Sequence, residues 1–399
     1  MKLLILTSAL DLRLIYGTIG AWWYLLKALY EEDVDLLVTV YQGRVVPSPW
    51  WEAFENPCYW EGYTFAELKS LRSRLLPQNT AGRNSIPQEG GNIIDKATLW
   101  AAHRFIRPRW RAHLLKILEK HPDVSAVLLI NVPLNQLAGI PQLIHDTHDI
   151  PVVYYDPDMP ISLPGFQAFP TGFRVYEEAN LDEIDLFVGN SQGGAVELER
   201  LGARNVRFLP WAVDPDVLKP VPVASQDIDA FFYGFGDEYR QSWLNAMLIK
   251  PSRAWPDRRI SARVGRITMD LGAVEQIKNV PFSRLRELCC RSKINLNIAR
   301  ESHTTLHASS SMRPYELAAL ECCMVSNPYA GLEEWFEPGK EMFLLSEPDE
   351  VTELYPWLWR NEKERQEVGQ RARERVLKEH TYRHRARQLK EMIRELGLP

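Results

Sequence analysis

Short runs of apolar, often β-branched residues recur along this chain, and each is followed by turn residues and then a longer amphipathic stretch. The runs are Leu3–Leu6, Leu36–Tyr41, Val124–Asn131, Val152–Asp156, Leu186–Asn190, Val206–Pro210, Ala230–Gly234, Ile294–Ile298 and Met324–Asn327. Runs this short, nearly continuous in apolar character and closed by Gly, Pro, Asn or Asp, read as strands buried on both faces. Tyr24–Tyr30, Trp110–Lys120, Gly194–Leu201, Phe282–Arg291 and Pro314–Glu321 place apolar residues three and four apart and read as helices. Strand–helix–strand alternation predicts an α/β chain built on doubly wound parallel sheets.

One stretch breaks the rhythm. Leu209–Pro220 (LPWAVDPDVLKP) is Pro-rich and irregular, and VPVASQD follows it. It divides the 399 residues into a first domain, 1–209, and a second, 223–374, joined by a hinge over 210–222. From Asn361 the chain is densely charged, and Val368, Val376, Leu389, Met392 and Ile393 fit helices with solvated outer faces. Residues 44–95 carry many Pro, Trp and Asn with weak periodicity and read as a long insertion near a binding face.

Composition excludes several classes. With 45% hydrophobic and 25% charged residues, the chain is neither disordered, fibrous nor a disulfide scaffold. No apolar run approaches the roughly 18 residues that span a bilayer. The opening MKLLILTSAL is followed by Asp11 and Arg13 and reads as a first strand, not a signal peptide. A net charge of -5 argues against nucleic acid as a partner. Cys58, Cys289, Cys290, Cys322 and Cys323 form no C-x-x-C pair and read as small buried hydrophobes, which suits a cytoplasmic location. Trp100–Lys120 is basic and aromatic; it is either a peripheral membrane contact or a surface helix whose face Pro108 interrupts.

In doubly wound sheets, ligands sit outside the carboxyl ends of the strands, so candidate residues follow the apolar runs. Gly17 and Gly20 after the first run either admit a ligand close to the backbone or make a tight turn. Asp156 and Asp158 end the fourth run on a Pro-stiffened loop and either bind hydroxyls or act as a base, Asp156 first, or simply form a turn. Gly234 and Arg240 bracket a glycine-bearing loop leading into a helix, which suits a diphosphate. Arg313 and Glu316, three residues apart, share a helix face; they form a ribose- and phosphate-binding pair or a surface ion pair.

From about 185 to 395, these segments resemble the group 1 glycosyltransferases of GT-B fold, nearest the CgeB-like spore-maturation branch. RPYELAALECCMVSNPYAGLEEWFEPGKEMFLLSEPDEVTELY is similar to their donor-binding signature. Leu209–Pro220 resembles their linker, DAFFYGFGDEYRQSWLNAM their first nucleotide-domain strand and loop, and VPFSRLRELCCRSKINLNIAR their helix and LNI strand. ERQEVGQRARERVLKEHTYRHRARQLKEMI resembles their terminal helices, so 375–399 is expected to pack back on the first domain. The resemblance implies two Rossmann-like domains facing each other across a cleft. The second would hold a nucleoside-diphosphate sugar, and the first a glycan or other hydroxyl acceptor.

Carried over residue by residue, the likeness puts Glu316 on the donor ribose and Arg240 and Arg313 on its phosphates. Phe282 would begin a helix near the nucleobase, and Asn297, Arg300, Ser311 and Met312 would line the sugar and diphosphate pocket with Gly17 and Gly234. Asp156, Arg240 and Glu316 would be the catalytic set of a retaining hexosyl transfer. The chain departs from the pattern at Ala308, where many retaining relatives carry a second Glu. No D-x-D pair follows a strand of the second domain, so neither a metal nor any cofactor beyond the donor is expected. An epimerase on the same architecture, or a non-catalytic sugar-nucleotide or glycan-binding protein, fits the same residues.

Overall fold

The computed structural model describes residues 1–10, 20–61, 99–165, 175–235, 240–265, 267, 269–278 and 280–397. Gly17 lies outside them, as does most of the 44–95 segment. The first sheet comprises β1 (Lys2–Thr7), β2 (Asp35–Val40), β3 (Glu52–Phe54), β4 (Ala126–Ile130), β5 (Val152–Asp156), β6 (Leu186–Gly189) and β7 (Val206–Phe208). All its strands are parallel, in the order β3-β2-β1-β4-β5-β6-β7. Because side chains alternate across a strand, Leu3 and Ile5 of β1 enter the core on one face while Leu4 and Leu6 enter the other. That two-sided burial is why the run is apolar at consecutive positions.

The second sheet repeats the plan with β8 (Ala230–Phe235), β9 (Ile260–Gly265), β10 (Glu275–Gln276), β11 (Asn295–Asn297), β12 (Met324–Ser326) and β13 (Phe343–Leu344). Its order is β10-β9-β8-β11-β12-β13, again parallel throughout. In each sheet the winding reverses once, between β1 and β4 and between β8 and β11. Such a reversal leaves a crevice at the strands' carboxyl ends.

Helices cover both faces: α1 (Ala21–Glu31), α2 (Arg107–Lys120), α3 (Ile140–His148) and α4 (Gln192–Arg200) on the first sheet. On the second lie a helical stretch over 241–254, α5 (Phe282–Cys290), α6 (Met312–Ala319), α7 (Val351–Arg360) and α8 (Glu362–Glu379). α8 buries Ala372 and Val376 against the second sheet's core. The last helix, α9 (Tyr382–Arg394), buries Tyr382, Ala386, Leu389 and Ile393 against α1 and the first sheet. Among the described residues no helix is long and apolar enough to cross a membrane.

Three readings of the sequence change. Pro108 does not end its helix: helical backbone runs unbroken over 99–120, and the π turn over Ala102–Ile106 just before Pro108 is where the ladder adjusts. Cys290 is only half-buried, although the other four thiols are buried. Four strands were not among the named runs: the edge strands β3, β10 and β13, which at two or three residues each are too short to show a period, and β9, whose ISARVG alternates apolar with polar residues instead of running continuously apolar.

The chain passes between the sheets twice, and the two passages pair with each other. Val213 N–H donates to His380 O (3.1 Å) and Tyr382 N–H to Val213 O (3.0 Å). Arg385, buried in α9, fastens this junction. Its Nε donates to Pro210 O (2.7 Å), Nη2 to Trp211 O (3.2 Å) and Nη1 to Glu379 O (3.2 Å). Nη2 also meets His380 Nδ1 at 2.7 Å. Burial and the Arg385 charge push the His380 imidazole down to about 3, so it accepts as a neutral ring. Arg385→Met strands several buried carbonyls and is expected to lower stability by about 2–3 kcal/mol, read from denaturant unfolding midpoints.

Candidate active site

The site is built where the second sheet reverses. β8 is apolar through Phe232 and reaches Gly234 at its carboxyl end. A Cβ on Gly234 would lie 2.7 Å from Nη2 of Arg313, so a side chain there displaces the guanidinium. Arg313 projects from the first turn of α6 over the rings of Phe232 (5.0 Å) and Tyr233 (5.3 Å) and donates through Nη1 to Ile298 O at 3.3 Å. Arg240, which precedes the helical stretch over 241–254, is buried and donates through Nε to the same Ile298 O at 2.8 Å. Two guanidinium groups thus converge on one carbonyl just past β11.

Arg300 follows two residues later and caps the short helix Glu301–Thr305. On that helix, His303 is pushed down to about 3 by burial and by the charges of Arg300, Arg240 and Arg313. Its Nδ1 and the Nε of Arg313 are buried without a hydrogen-bond partner. The nearby acid is Glu316, one turn along α6, whose Oε2 accepts from Tyr233 OH at 2.6 Å. Burial pushes the Glu316 carboxyl up, and the Tyr233 hydrogen bond and the Arg313 charge draw it back. Ser311, the N-cap of α6, makes no capping bond with its side chain, so the leading N–H groups of that helix are not occupied by it. Concentrated positive charge, orphaned donors and a helix amino terminus together make a site for an anion.

Across the cleft stand Asp156 and Asp158. Asp156, the last residue of β5, is 1% exposed and accepts from Ser162 Oγ (2.5 Å), Tyr176 OH (2.6 Å) and Asp158 N–H (3.0 Å). Those bonds brace the loop that follows β5. Burial pushes its carboxyl up to about 6 against those hydrogen bonds. Asp158, ranked second in the sequence, is the exposed one; Asn131 Nδ2 donates to its Oδ2 at 3.4 Å. Surrounding protein pushes its carboxyl up and the charge of Arg300 draws it back.

The cleft floor is stitched together by backbone. Gly193 N–H donates to His307 O (2.9 Å), Ser310 N–H to Asn190 O (2.8 Å) and Asn190 Nδ2 to Ser310 O (3.0 Å). Ser191 Oγ and Ser309 Oγ lie 2.8 Å apart. The loop at Ala308 is therefore engaged with the first sheet.

The structure brings Gly234, Arg240, Arg300, Arg313 and Glu316 together. The other residues make different contacts. Asn297 is wholly buried and donates to Ser326 Oγ at 2.9 Å. Phe282 opens α5, packs on the second sheet's core and lies under Arg286. Met312 packs on the first sheet's core. His303 and Tyr233 were not singled out in the sequence. The signal for His303 was its place three residues after Arg300 in a polar loop at a strand's carboxyl end. Among the described residues, no cluster of three or more His, Cys, Asp or Glu is placed to hold a metal.

Residues 235–391 match the family described as Glycosyl transferase-like. A search of curated protein sequences finds no match. Solved structures match over nearly the whole chain. Sucrose-phosphate synthase from Thermosynechococcus elongatus superposes with a TM-score of 0.63 at 13% identity over 99% of each chain. Anabaena Alr3699/HepE in complex with UDP and glucose gives 0.60 at 12% over 99% of each. A glycosyltransferase from Rickettsia africae gives 0.57 at 10% over 99% of this chain and 98% of that one. The chain has the GT-B fold: two parallel α/β sheets whose carboxyl ends meet at a cleft.

The Asp156 shift has a stability consequence. Between its unfolded value and about 6 the folded chain holds a proton that the unfolded chain releases, so stability falls as pH rises through that window and is level above it. Wild type is expected to lose about 2–3 kcal/mol from this group between about pH 4 and 6, and Asp156→Asn to lack that slope in unfolding midpoints measured against pH.

Proposed function

We propose that this protein is a glycosyltransferase that moves a hexosyl group from a nucleoside-diphosphate sugar to an acceptor hydroxyl, in the manner of the CgeB-like branch. The observation carrying this reading is the gathering of Arg240, Arg300 and Arg313 around His303 at the second sheet's reversal point. A nucleoside diphosphate presents the anion such a site requires. The family match over 235–391 and the UDP-bound Anabaena structure of the same fold support the choice.

In this reading 223–374 hold the donor, 1–209 the acceptor, and the two close about 210–222. The free oxygen of Glu316 accepts from the ribose hydroxyls while Tyr233 holds the other. As the glycosidic bond breaks, negative charge grows on the leaving diphosphate. The guanidinium groups, already fixed on Ile298 O, stabilise that charge without reorganising. They are proposed to do so without a divalent cation or other cofactor. Configuration at the anomeric carbon is proposed to be retained, the departing phosphate taking the acceptor proton. Asp158, not Asp156, is then the carboxylate placed to orient the attacking hydroxyl. The enzyme is proposed to work in the cytoplasm, touching the membrane peripherally through the exposed Trp100, Phe105 and Arg104.

Incubation with a panel of nucleoside-diphosphate sugars, with EDTA present, is expected to release nucleoside diphosphate only when a hydroxyl acceptor is supplied. Isomerised donor, or binding without turnover, overturns the reading. In calorimetric titration, Glu316→Gln is expected to weaken nucleoside-diphosphate affinity about 10- to 100-fold, about 1–3 kcal/mol. Asp158→Asn is expected to lower turnover at least about tenfold while leaving donor affinity unchanged, which separates an acceptor-side role from a donor-side one.

A further inference from the structure

Behind the donor site, α5 ends at Cys289–Cys290 and the turn after α6 carries Cys322–Cys323. The sulfurs of Cys290 and Cys322 both approach a single carbonyl oxygen, that of Leu320, at 4.0 and 3.7 Å, and Cys322 also donates to Cys289 O at 3.6 Å. Their surroundings differ. Cys322 is buried. Cys290 is half-buried and opens into a cavity of about 200 Å³ lined also by Val221, Gln226, Glu321, Cys323 and Arg365; Cys323 shares the cavity, whereas Cys290 and Cys322 share the Leu320 carbonyl. The backbone holding Cys322 is fixed: Glu321 has φ +58, and its carbonyl lies against Gly369 of α8, where a Cβ would come within 2.4 Å.

We propose that Cys290 and Cys322 form an oxidisable dithiol site whose substrate is hydrogen peroxide entering through this cavity. Cys290 is the sulfur that reacts first. The neighbouring Cys322 thiol, the Val221 N–H and the charge of Arg286 draw its thiol down to about 7 although burial opposes them. A substantial share is therefore thiolate at neutral pH, the nucleophilic form. The Cys290 thiolate attacks one peroxide oxygen, the O–O bond breaks, and hydroxide leaves and is protonated to water. The sulfenic acid so formed lies beside Cys322. Cys322 sulfur attacks the sulfenic sulfur, its proton leaves with the departing hydroxyl as a second water, and the S–S bond closes. Two thiols and one peroxide give one disulfide and two waters; the sulfurs lose the two electrons that cleave the O–O bond. The product ties the end of α5 to the end of α6, the helix that carries Arg313 and Glu316.

The site does not depend on the donor reading. Folded protein exposed to hydrogen peroxide, quenched with N-ethylmaleimide and mapped by fragmentation mass spectrometry is expected to lose two hydrogens and to carry a Cys290–Cys322 bond. Cys290→Ser and Cys322→Ser are each expected to abolish it, while Cys289→Ser and Cys323→Ser retain it. A bond through Cys289 or Cys323, a link between two chains, sulfinic acid on Cys290 with no bond, or no oxidation overturns the proposal. Mapping of the wild-type protein decides the matter even if a serine variant does not fold.

Discussion

The apposition of the two sheets rests on a buried guanidinium. Arg385 spends its donors on backbone carbonyls from both passages of the chain between the sheets, at Pro210–Trp211 on one and Glu379 on the other. A buried cation is tolerated only when its hydrogen-bonding capacity is met, and here carbonyl dipoles and a neutral imidazole meet it with no counter-charge. The Val213–Thr381 pairing and the seating of α9 on α1 follow from the same junction. Everything at the cleft, including the placing of Asp158 opposite Arg300, requires this relative position to hold.

The second sheet's reversal point solves the opposite problem. Arg240 and Arg313 are both steadied by the Ile298 carbonyl, and Arg313 also by the ring faces of Phe232 and Tyr233. Such partners fix the direction of a guanidinium but leave its charge uncancelled. His303 adds no charge, since its neighbours keep it unprotonated. Three guanidinium groups held this close give the pocket a positive field that suits an anion.

Much of this was legible in the residues. Two-sided apolar runs gave the parallel strands, and the three-residue spacing of Arg313 and Glu316 placed them on one face of α6. Less legible were features that depend on distant partners. Asp156 ranked above Asp158 because it ended a strand, but the donors that bury it, Ser162 and Tyr176, come from 6 and 20 residues away. Arg385 sat within a charge run that reads as solvated surface, and nothing local distinguishes it from Arg383 or Arg387, which do pair with Glu32 in the open. Cys290 and Cys322 looked like inert filler because adjacency in sequence said nothing of which sulfur faces which.

The ladder between 190–193 and 307–310 has a mechanical consequence. With the Val213–Thr381 crossover it fixes two separate points at which the halves of the molecule are joined. A rigid-body motion that breaks neither can only turn about the line through both. The gap between the described parts of the two sheets then widens at the rim away from that axis.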